Sequence, residues 1–294
     1  MTGKRVSLVL GSGGARGLAH IGVIRYLEEQ GYHIDSISGS SMGALIGGIY
    51  ATGKLEVYAE WVSALEKIDI LRLLDISFSN GGFLRGDKVI QALRDLIGDH
   101  QIEDLPISYT AVAADLKRQR EVWLKSGSLF DAIRASIAIP TLFTPVRHDN
   151  RLLVDGGLVN PVPIAPTIRD DTDIAIAVDA SAAEEKDIEH SHRNKPEAGS
   201  SYRQQIMDFL DSMNLLPKIA SQEEKAMDTM EILTGSIEVM QSMITRFQLA
   251  ANTPDILISI PQNIATFYEF HHAEELIAFG YERTRATFTN RQPD

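Results

Sequence analysis

The sequence contains no cysteine among its 294 residues. That absence excludes disulfide bonds, cysteine-ligated zinc, iron–sulfur clusters and a thiol nucleophile.

Basic residues are also scarce. Lysine and arginine together number 28 against 40 aspartates and glutamates, which gives a formal net charge of −12. Because nucleic-acid binding depends on neutralising many phosphates, this balance argues against a nucleic-acid partner. It argues equally against electrostatic docking onto anionic lipid, but it leaves hydrophobic and transient membrane contact open.

Long apolar runs are missing as well. No run approaches the roughly 18 residues that a membrane-spanning helix needs, so no integral membrane segment is predicted. The first apolar run, residues 6–10, stops at Gly11, too early for the apolar region of a secretory signal. We therefore expect a soluble, cytoplasmic protein.

Short apolar runs alternating with glycine loops are what the sequence does contain. Residues 6–10 and 34–38 are typical of buried strands, and each is followed by a glycine-rich turn and an apolar segment with helical spacing. This order predicts an α/β fold with a mainly parallel central sheet. Further strands are predicted at 109–113, 121–124, 152–154, 174–178 and 256–260, and helices at 88–96 and 129–137.

The pattern divides the chain into three parts. Residues 1–182 form the predicted α/β core domain, 183–205 a polar and flexible insert, and 206–294 a helical extension with one late strand. Within the extension a helical stripe of apolar residues is a lipid-facing surface, part of the core, or a homo-oligomer contact. Its members are Met227, Met230, Leu233, Ile237, Met240, Ile244 and Phe247.

Ser41 lies at the centre of a G-x-S-x-G pattern, residues 39–43. An apolar run precedes the pattern and an apolar helical segment follows it, as a strand–turn–helix nucleophile elbow requires. Gly39 and Gly43 leave room for a tight turn that projects the serine hydroxyl at the carboxyl end of the strand. The N-terminus of the following helix is suited to stabilising a developing oxyanion there.

A second glycine loop, residues 11–17 (GSGGARG), follows the first predicted strand. Its backbone N–H groups are expected to converge near a helix N-terminus, as an oxyanion hole or a nucleotide phosphate cradle requires. The dinucleotide pattern G-x-G-x-x-G would place glycine where Arg16 stands, and the Lys-Ser/Thr of a Walker loop is missing. The oxyanion hole is the favoured interpretation.

A serine nucleophile needs a base. Of the eight histidines, His271 and His272 are the candidates, whereas His20 falls within the first helix and is expected to be packed or capped. The other candidate is Asp155, which ends an apolar strand and is followed by Gly156 and Gly157. A structural Asx-turn is the alternative role for this aspartate.

Together these residues resemble the bacterial patatin-like phospholipases. Residues 11–20 resemble the family's glycine-rich oxyanion segment, 39–44 its nucleophile elbow, and 155–157 its D-G-G/A motif. Residues 136–140 (SIAIP) resemble its S-x-A-x-P block, and 160–163 (NPVP) follow the aspartate as in the family. The match extends from residue 5 to about residue 182, and one departure is Ser12, where many members have glycine.

The resemblance implies a three-layer α/β/α fold and a Ser41–Asp155 dyad. Ser41 would attack an ester carbonyl to form an acyl-enzyme, and Asp155 would take the serine proton and later activate water. Lipid or other acyl esters, phospholipids and lysophospholipids among them, would be the substrates, with no metal or organic cofactor. The implied oxyanion donors are the backbone amides of Gly13, Gly14, Ala15 and Arg16, and the motif glycines are Gly11, Gly17, Gly39, Gly43, Gly156 and Gly157.

Three alternatives stay open. An α/β-hydrolase would use a triad of Ser41, Asp155 and His271, in that chain order. A non-catalytic regulator or adaptor would keep the fold and act by binding partners, and a nucleotide-binding enzyme would use the loop at 11–17. Separately, the apolar segment 70–84 is interpreted as a mobile flap over an acyl pocket or as a buried turn between two helices.

Overall fold

The computed structural model describes residues 3–73, 82–186 and 229–291. Most of the predicted flap and most of the predicted polar insert therefore lie outside the described residues. The strands are β1 (Arg5–Leu10), β2 (His33–Ser40), β3 (Gly82–Leu84), β4 (Ser108–Asp115), β5 (Arg120–Leu124), β6 (Thr141–Phe143), β7 (Val146–His148), β8 (Arg151–Asp155), β9 (Ile174–Ala182) and β10 (Ile256–Pro261). The α-helices are α1 (Ala19–Glu29), α2 (Met42–Ala51), α3 (Leu55–Ser63), α4 (Lys67–Leu73), α5 (Asp87–Ile97), α6 (Leu129–Ser136), α7 (Thr229–Ala251) and α8 (Ala273–Thr289).

One mixed sheet organises the fold, with strand order β10-β9-β1-β2-β4-β8-β7 and β5 paired to β4. The run from β10 to β4 is parallel, whereas β5, β7 and β8 are antiparallel to their neighbours. The predicted α/β class with a mainly parallel sheet is confirmed. The three-residue strands β3, β6 and β7 were not predicted.

The two faces of the sheet are covered differently. Along β1, Leu8 and Leu10 face a large continuous core built with α1, α2, α3, α5, α6 and α8. Val9 points the other way, as alternation along a strand requires, into a smaller cluster with Val162 and Ile164. Leu249 of α7 packs against this second cluster. The sheet is thus the middle of three layers.

Helices α1 and α8 meet backbone to backbone. A Cβ atom added at Gly22 of α1 would lie 2.0 Å from the Ile277 carbonyl oxygen, and one at Gly280 of α8 would lie 2.0 Å from that of Ala19. Together with the pairing of β10 to β9, this crossing makes the chain's late elements part of the core. Accordingly, residues up to 184 and from 237 onward form one compact unit, and 185–236 form another.

Three members of the apolar stripe of α7 are exposed to solvent. Leu233 is 43% exposed, Met240 55% and Phe247 69%, so the prediction of a core position is wrong for these side chains. The physical reason is the helix's orientation, which turns Leu249 and Thr245 inward instead. Met227 lies outside the described residues. The lipid-facing and homo-oligomer alternatives for the 227–247 stripe stay predictions.

None of the helices in the described ranges is both long enough and apolar enough to cross a membrane.

Candidate active site

The two glycine loops lie side by side because β1 and β2 are parallel neighbours. Leu10, the last residue of β1, pairs with Gly39 near the end of β2. The loops that follow these strands therefore leave the same carboxyl edge of the sheet, where sites form in open α/β folds.

Ser41 occupies a strained turn between β2 and α2. Its φ of 55° and ψ of −123° lie in a region that non-glycine residues rarely adopt. The glycines make the turn feasible, since a Cβ at Gly39 would lie 2.4 Å from the Ala44 nitrogen and one at Gly43 1.9 Å from the Leu10 carbonyl oxygen. As the N-cap residue of α2, Ser41 stands at the positive end of that helix.

Asp155 reaches this turn from the far side of β4. It is the last residue of β8 and pairs with Ala113, while the neighbouring Val112 pairs with Ser40 of β2. Gly156 then passes so close that an added Cβ would lie 2.1 Å from the Val112 carbonyl oxygen and 2.8 Å from Ser40 Oγ. Glycine at this position lets the Asp155 loop approach the elbow directly.

The Asp155 carboxyl group is 2% exposed, and its pKa is raised to about 7. Burial is the main cause because it penalises the charged form, whereas the Ser41 hydroxyl and the Gly157 N–H act to lower this pKa. Oδ1 accepts the Gly157 N–H at 2.7 Å. Oδ2 has no hydrogen-bond partner within the described part of the chain, so the contact from the Ser41 hydroxyl is looser than a full hydrogen bond. Catalytic hydrogen bonds in unliganded sites are often of this kind.

The segment from Ser136 to Ala138 accepts hydrogen bonds from the backbone N–H groups of Ser41 and Asp155. Ser41 N–H donates to Ser136 Oγ at 3.0 Å, and Ser136 donates in turn to the Val112 carbonyl at 2.6 Å. Two residues on, the Ala138 carbonyl accepts the Asp155 N–H at 2.9 Å. Ser136 and Ala138 belong to the block 136–140, which resembles a family motif, but neither was among the predicted site residues.

Among the predicted oxyanion donors Gly13, Gly14 and Ala15, two backbone amides are free and one is engaged. Within the described ranges, the N–H groups of Gly13 and Gly14 donate to no acceptor, which leaves them available to an oxyanion. The Ala15 N–H instead donates to the Phe267 carbonyl at 3.0 Å. Gly14 has a φ of +56°, and a Cβ there would lie 2.6 Å from the Phe267 ring. In this conformation Ala15 is therefore not a free donor.

The remaining motif glycines each mark a close approach. An added Cβ would lie 2.7 Å from the Val178 carbonyl oxygen at Gly11, 2.5 Å from Met42 Cβ at Gly17, and 2.7 Å from Gln241 Nε2 at Gly157. Gly17 thus joins the oxyanion loop to the start of α2.

The structure buries His20 and does not join His271 to Asp155. His20 is fully buried with Nε2 2.8 Å from the Gly11 carbonyl oxygen, and burial lowers its pKa to about 4. His271 stacks on the His272 ring at 4.1 Å between centroids. Burial, then the charges of His272 and Lys67, lower the His271 pKa to about 4, and Asp155 is not among the groups acting on it.

No group of three or more histidine or carboxylate side chains in residues 3–73, 82–186 and 229–291 is placed to hold a metal ion.

An open groove of about 670 Å³ runs along α1, α3 and α8, and Arg25, Glu60 and Tyr281 are among its lining residues. It does not include Ser41 or Asp155.

Comparison with known proteins identifies a matching family model, related proteins and a solved structure. Residues 8–168 match the family model of the patatin-like phospholipases. An uncharacterized NTE family protein of Mycobacterium tuberculosis is 40% identical over 94% of this chain and 89% of its own length. The lysophospholipase nte1 of Emericella nidulans is 30% identical over 63% of this chain, which corresponds to 12% of the fungal protein. Among solved structures, VipD from Legionella pneumophila superposes with a TM-score of 0.46 at 16% identity, covering 98% of this chain and 67% of VipD.

Proposed function

This chain belongs to the patatin-like phospholipase family, and on that premise we propose that it is a serine hydrolase of lipid acyl esters. Ser41 is the nucleophile, Asp155 the general base, and the amides of Gly13 and Gly14 the principal oxyanion donors. No metal or organic cofactor takes part.

Acylation begins with the Ser41 hydroxyl attacking the ester carbonyl carbon while its proton passes to Asp155 Oδ2. This oxygen is buried and has no other hydrogen-bond partner in the described residues, so it can accept that proton. The negative charge moves to the former carbonyl oxygen, where backbone N–H groups stabilise it. The tetrahedral intermediate then collapses with loss of the alcohol, which takes up the proton from Asp155.

Deacylation repeats the same transfers with water. Asp155 removes a proton from the water that attacks the acyl carbonyl, and the Ser41 oxygen leaves with that proton as the fatty acid is released. One carboxyl group serves both steps, since it alternates between the charged and the protonated form. A pKa of about 7 keeps both forms accessible near neutral pH.

One observation carries the proposal most directly. A non-glycine residue held at a φ of 55° is costly, by about 1–3 kcal/mol, and such strain persists where the surrounding structure enforces it. Here that residue is a serine next to a buried carboxyl group with an unpartnered oxygen. A merely structural Asx-turn at Asp155 would need only Oδ1, which already accepts the Gly157 N–H.

The name of one relative supports a proposal for the substrate class. The Emericella relative is called a lysophospholipase, and we propose a lysophospholipid or phospholipid as the physiological ester.

Intact-mass measurement after treatment with a fluorophosphonate probe tests the mechanism. The wild type is expected to gain one adduct, Ser41→Ala none, and Asp155→Asn to react much more slowly. Fatty-acid release from a lysophosphatidylcholine panel, compared with short p-nitrophenyl esters, then tests the substrate class. A folded wild type that forms no adduct and releases no fatty acid would instead support the regulator or adaptor alternative.

A further inference from the structure

Arg16 stands within the oxyanion loop, but its side chain turns away from solvent and is only 5% exposed. The guanidinium makes three separate contacts. Nε donates to the Gly13 carbonyl at 3.1 Å, Nη1 to the Gln262 carbonyl at 3.2 Å, and Nη2 to Glu238 Oε1 at 3.2 Å. A buried cation held by three partners is fixed in orientation as well as in position.

The contact to Gly13 determines where the neighbouring amide points. The Gly13 carbonyl and the Gly14 N–H belong to one planar trans peptide unit, in which the two bonds point in opposite directions. Since Arg16 Nε holds the carbonyl on one side, the Gly14 N–H is directed to the other side. That amide has no acceptor within the described ranges. Arg16 therefore determines the orientation of the Gly14 N–H, a proposed oxyanion donor.

Glu238 supplies the ionic partner for this arginine. It lies on α7 and is 34% exposed, so the ion pair reaches from the helix surface to the buried guanidinium. Asp179 on β9 is also within electrostatic range of Arg16, but its Oδ1 accepts the Ser181 N–H. Glu238 is therefore the only carboxylate in the described residues that bonds Arg16 directly.

The same helix face contacts the second catalytic loop. Gln241 lies one turn after Glu238, and its Nε2 is 2.7 Å from the place that a Cβ on Gly157 would occupy. The polar side of α7 thus meets the oxyanion loop through residue 238 and the Asp155 loop through residue 241.

We propose that Glu238 is a positioning residue for the oxyanion loop. By holding Arg16, it fixes the Gly13–Gly14 peptide, and it makes α7 part of the catalytic apparatus although this helix lies beyond the matched residues 8–168. The inference rests on the proposed function, because it assigns a role within that reaction.

The experiment compares Glu238→Ala and Glu238→Gln with a matched control, Glu56→Ala. Glu56 forms a 2.6 Å ion pair with Arg25 on α1, on residues outside both catalytic loops. Steady-state kinetics on p-nitrophenyl butyrate give kcat and KM. Amide hydrogen exchange of residues 11–18 reports loop order without depending on turnover.

Glu238→Ala is expected to lower kcat about tenfold with KM changed less than about twofold, since removing an oxyanion donor outright costs about 10²–10³ in rate. Exchange at residues 11–18 is expected to accelerate. Glu238→Gln keeps an oxygen acceptor for Arg16 and should retain most of kcat. Glu56→Ala should match the wild type in kcat and in loop exchange.

Two results would overturn the inference: loop exchange and kcat in Glu238→Ala equal to those of the Glu56→Ala control, or a fall in thermal stability alone. If the wild type turns over no ester while Glu238→Ala still loosens the loop, the proposed function fails and the positioning contact stands. The two failures are therefore distinguishable.

Discussion

Ser136 holds Ser41 by its backbone rather than by its reactive group. The Ser41 N–H donates to Ser136 Oγ at 3.0 Å, and this hydroxyl donates in turn to the Val112 carbonyl at 2.6 Å. The amide of a residue with a φ of 55° points away from the usual helical or strand partners, so a side-chain acceptor satisfies it. Ser136 thus ties the strained elbow to β4, the strand that separates Ser41 from Asp155.

Ser136→Ala is expected to lower kcat by about tenfold or more. The substitution leaves the buried Ser41 N–H without its acceptor, which costs about 1–3 kcal/mol, and it releases the elbow. Ser128→Ala at the other end of α6 is the control. It removes the N-cap that accepts the Asp131 N–H, so it should lower thermal stability by about 1 kcal/mol and leave kcat unchanged. Equal kcat values for the two variants would contradict a role for Ser136 in shaping the elbow.

The rate is expected to rise with pH as Asp155 loses its proton. Its pKa is raised to about 7, so the active carboxylate is the minor form at pH 6 and the major form at pH 8. The kcat/KM for a neutral ester should therefore increase about tenfold per pH unit below 7 and level off above it. The measurement is a pH profile from 5 to 9 in buffers of constant ionic strength. A profile that is already flat from pH 5.5 upward would contradict the prediction, because the base would then have a pKa well below 7.

The titration of Asp155 should also affect the stability of the fold, but here a rise in pH is unfavourable. Because the folded pKa lies above the value of 3.8 for an unperturbed aspartate, folding favours the protonated form. The favourable contribution of protonated Asp155 to the free energy of unfolding is fully present below about pH 4 and is lost as pH rises toward 7. Asp155→Asn removes the charge that is costly to bury, so it should raise Tm relative to the wild type at pH 8.5 by more than at pH 5. Thermal unfolding at the two pH values tests this, and an equal shift at both would contradict it.

His271→Ala is expected to leave the reaction almost unchanged. The pKa of His271 is lowered to about 4, and Asp155 is not among the groups that affect it. The histidine–aspartate contact that a catalytic triad needs is therefore missing. The rate of fluorophosphonate labelling of His271→Ala should stay within about twofold of the wild-type rate, whereas labelling of Asp155→Asn should be much slower. The reverse pattern would restore the triad of Ser41, Asp155 and His271.

Local sequence patterns predicted those features of the candidate site that are formed by residues adjacent in the chain. The glycines around Ser41 and the glycines after Asp155 are signals of tight turns, and the strand before each is visible as an apolar run. The parallel pairing of β1 and β2 followed from the strand–helix–strand order. These signals were sufficient to choose Ser41 and Asp155 as candidates and to assign the fold class.

Contacts between residues far apart in the chain could not be predicted in this way. The bonds from Arg16 to Glu238 and from Ala15 to Phe267 span more than 200 residues, and no spacing in the sequence points to either. The orientation of α7 was left open among three alternatives for the same reason. An apolar stripe at helical spacing predicts a buried face, but here Leu249 and the polar residues near Glu238 meet the rest of the fold.

That orientation can be tested by two substitutions placed two residues apart. Phe247 is 69% exposed, whereas Leu249 packs against the cluster formed by Val9, Val162 and Ala177. Leu249→Ser should destabilise the fold by about 1–3 kcal/mol, because it removes apolar contact area and brings a hydroxyl against the cluster. Phe247→Ser should stay within about 0.5 kcal/mol of the wild type, as surface substitutions usually do. Urea unfolding at two protein concentrations measures both values and also tests the predicted homo-oligomer contact. If Phe247→Ser destabilises only at the higher concentration, a second copy of the chain covers this face; if it destabilises equally at both, the helix is turned the other way.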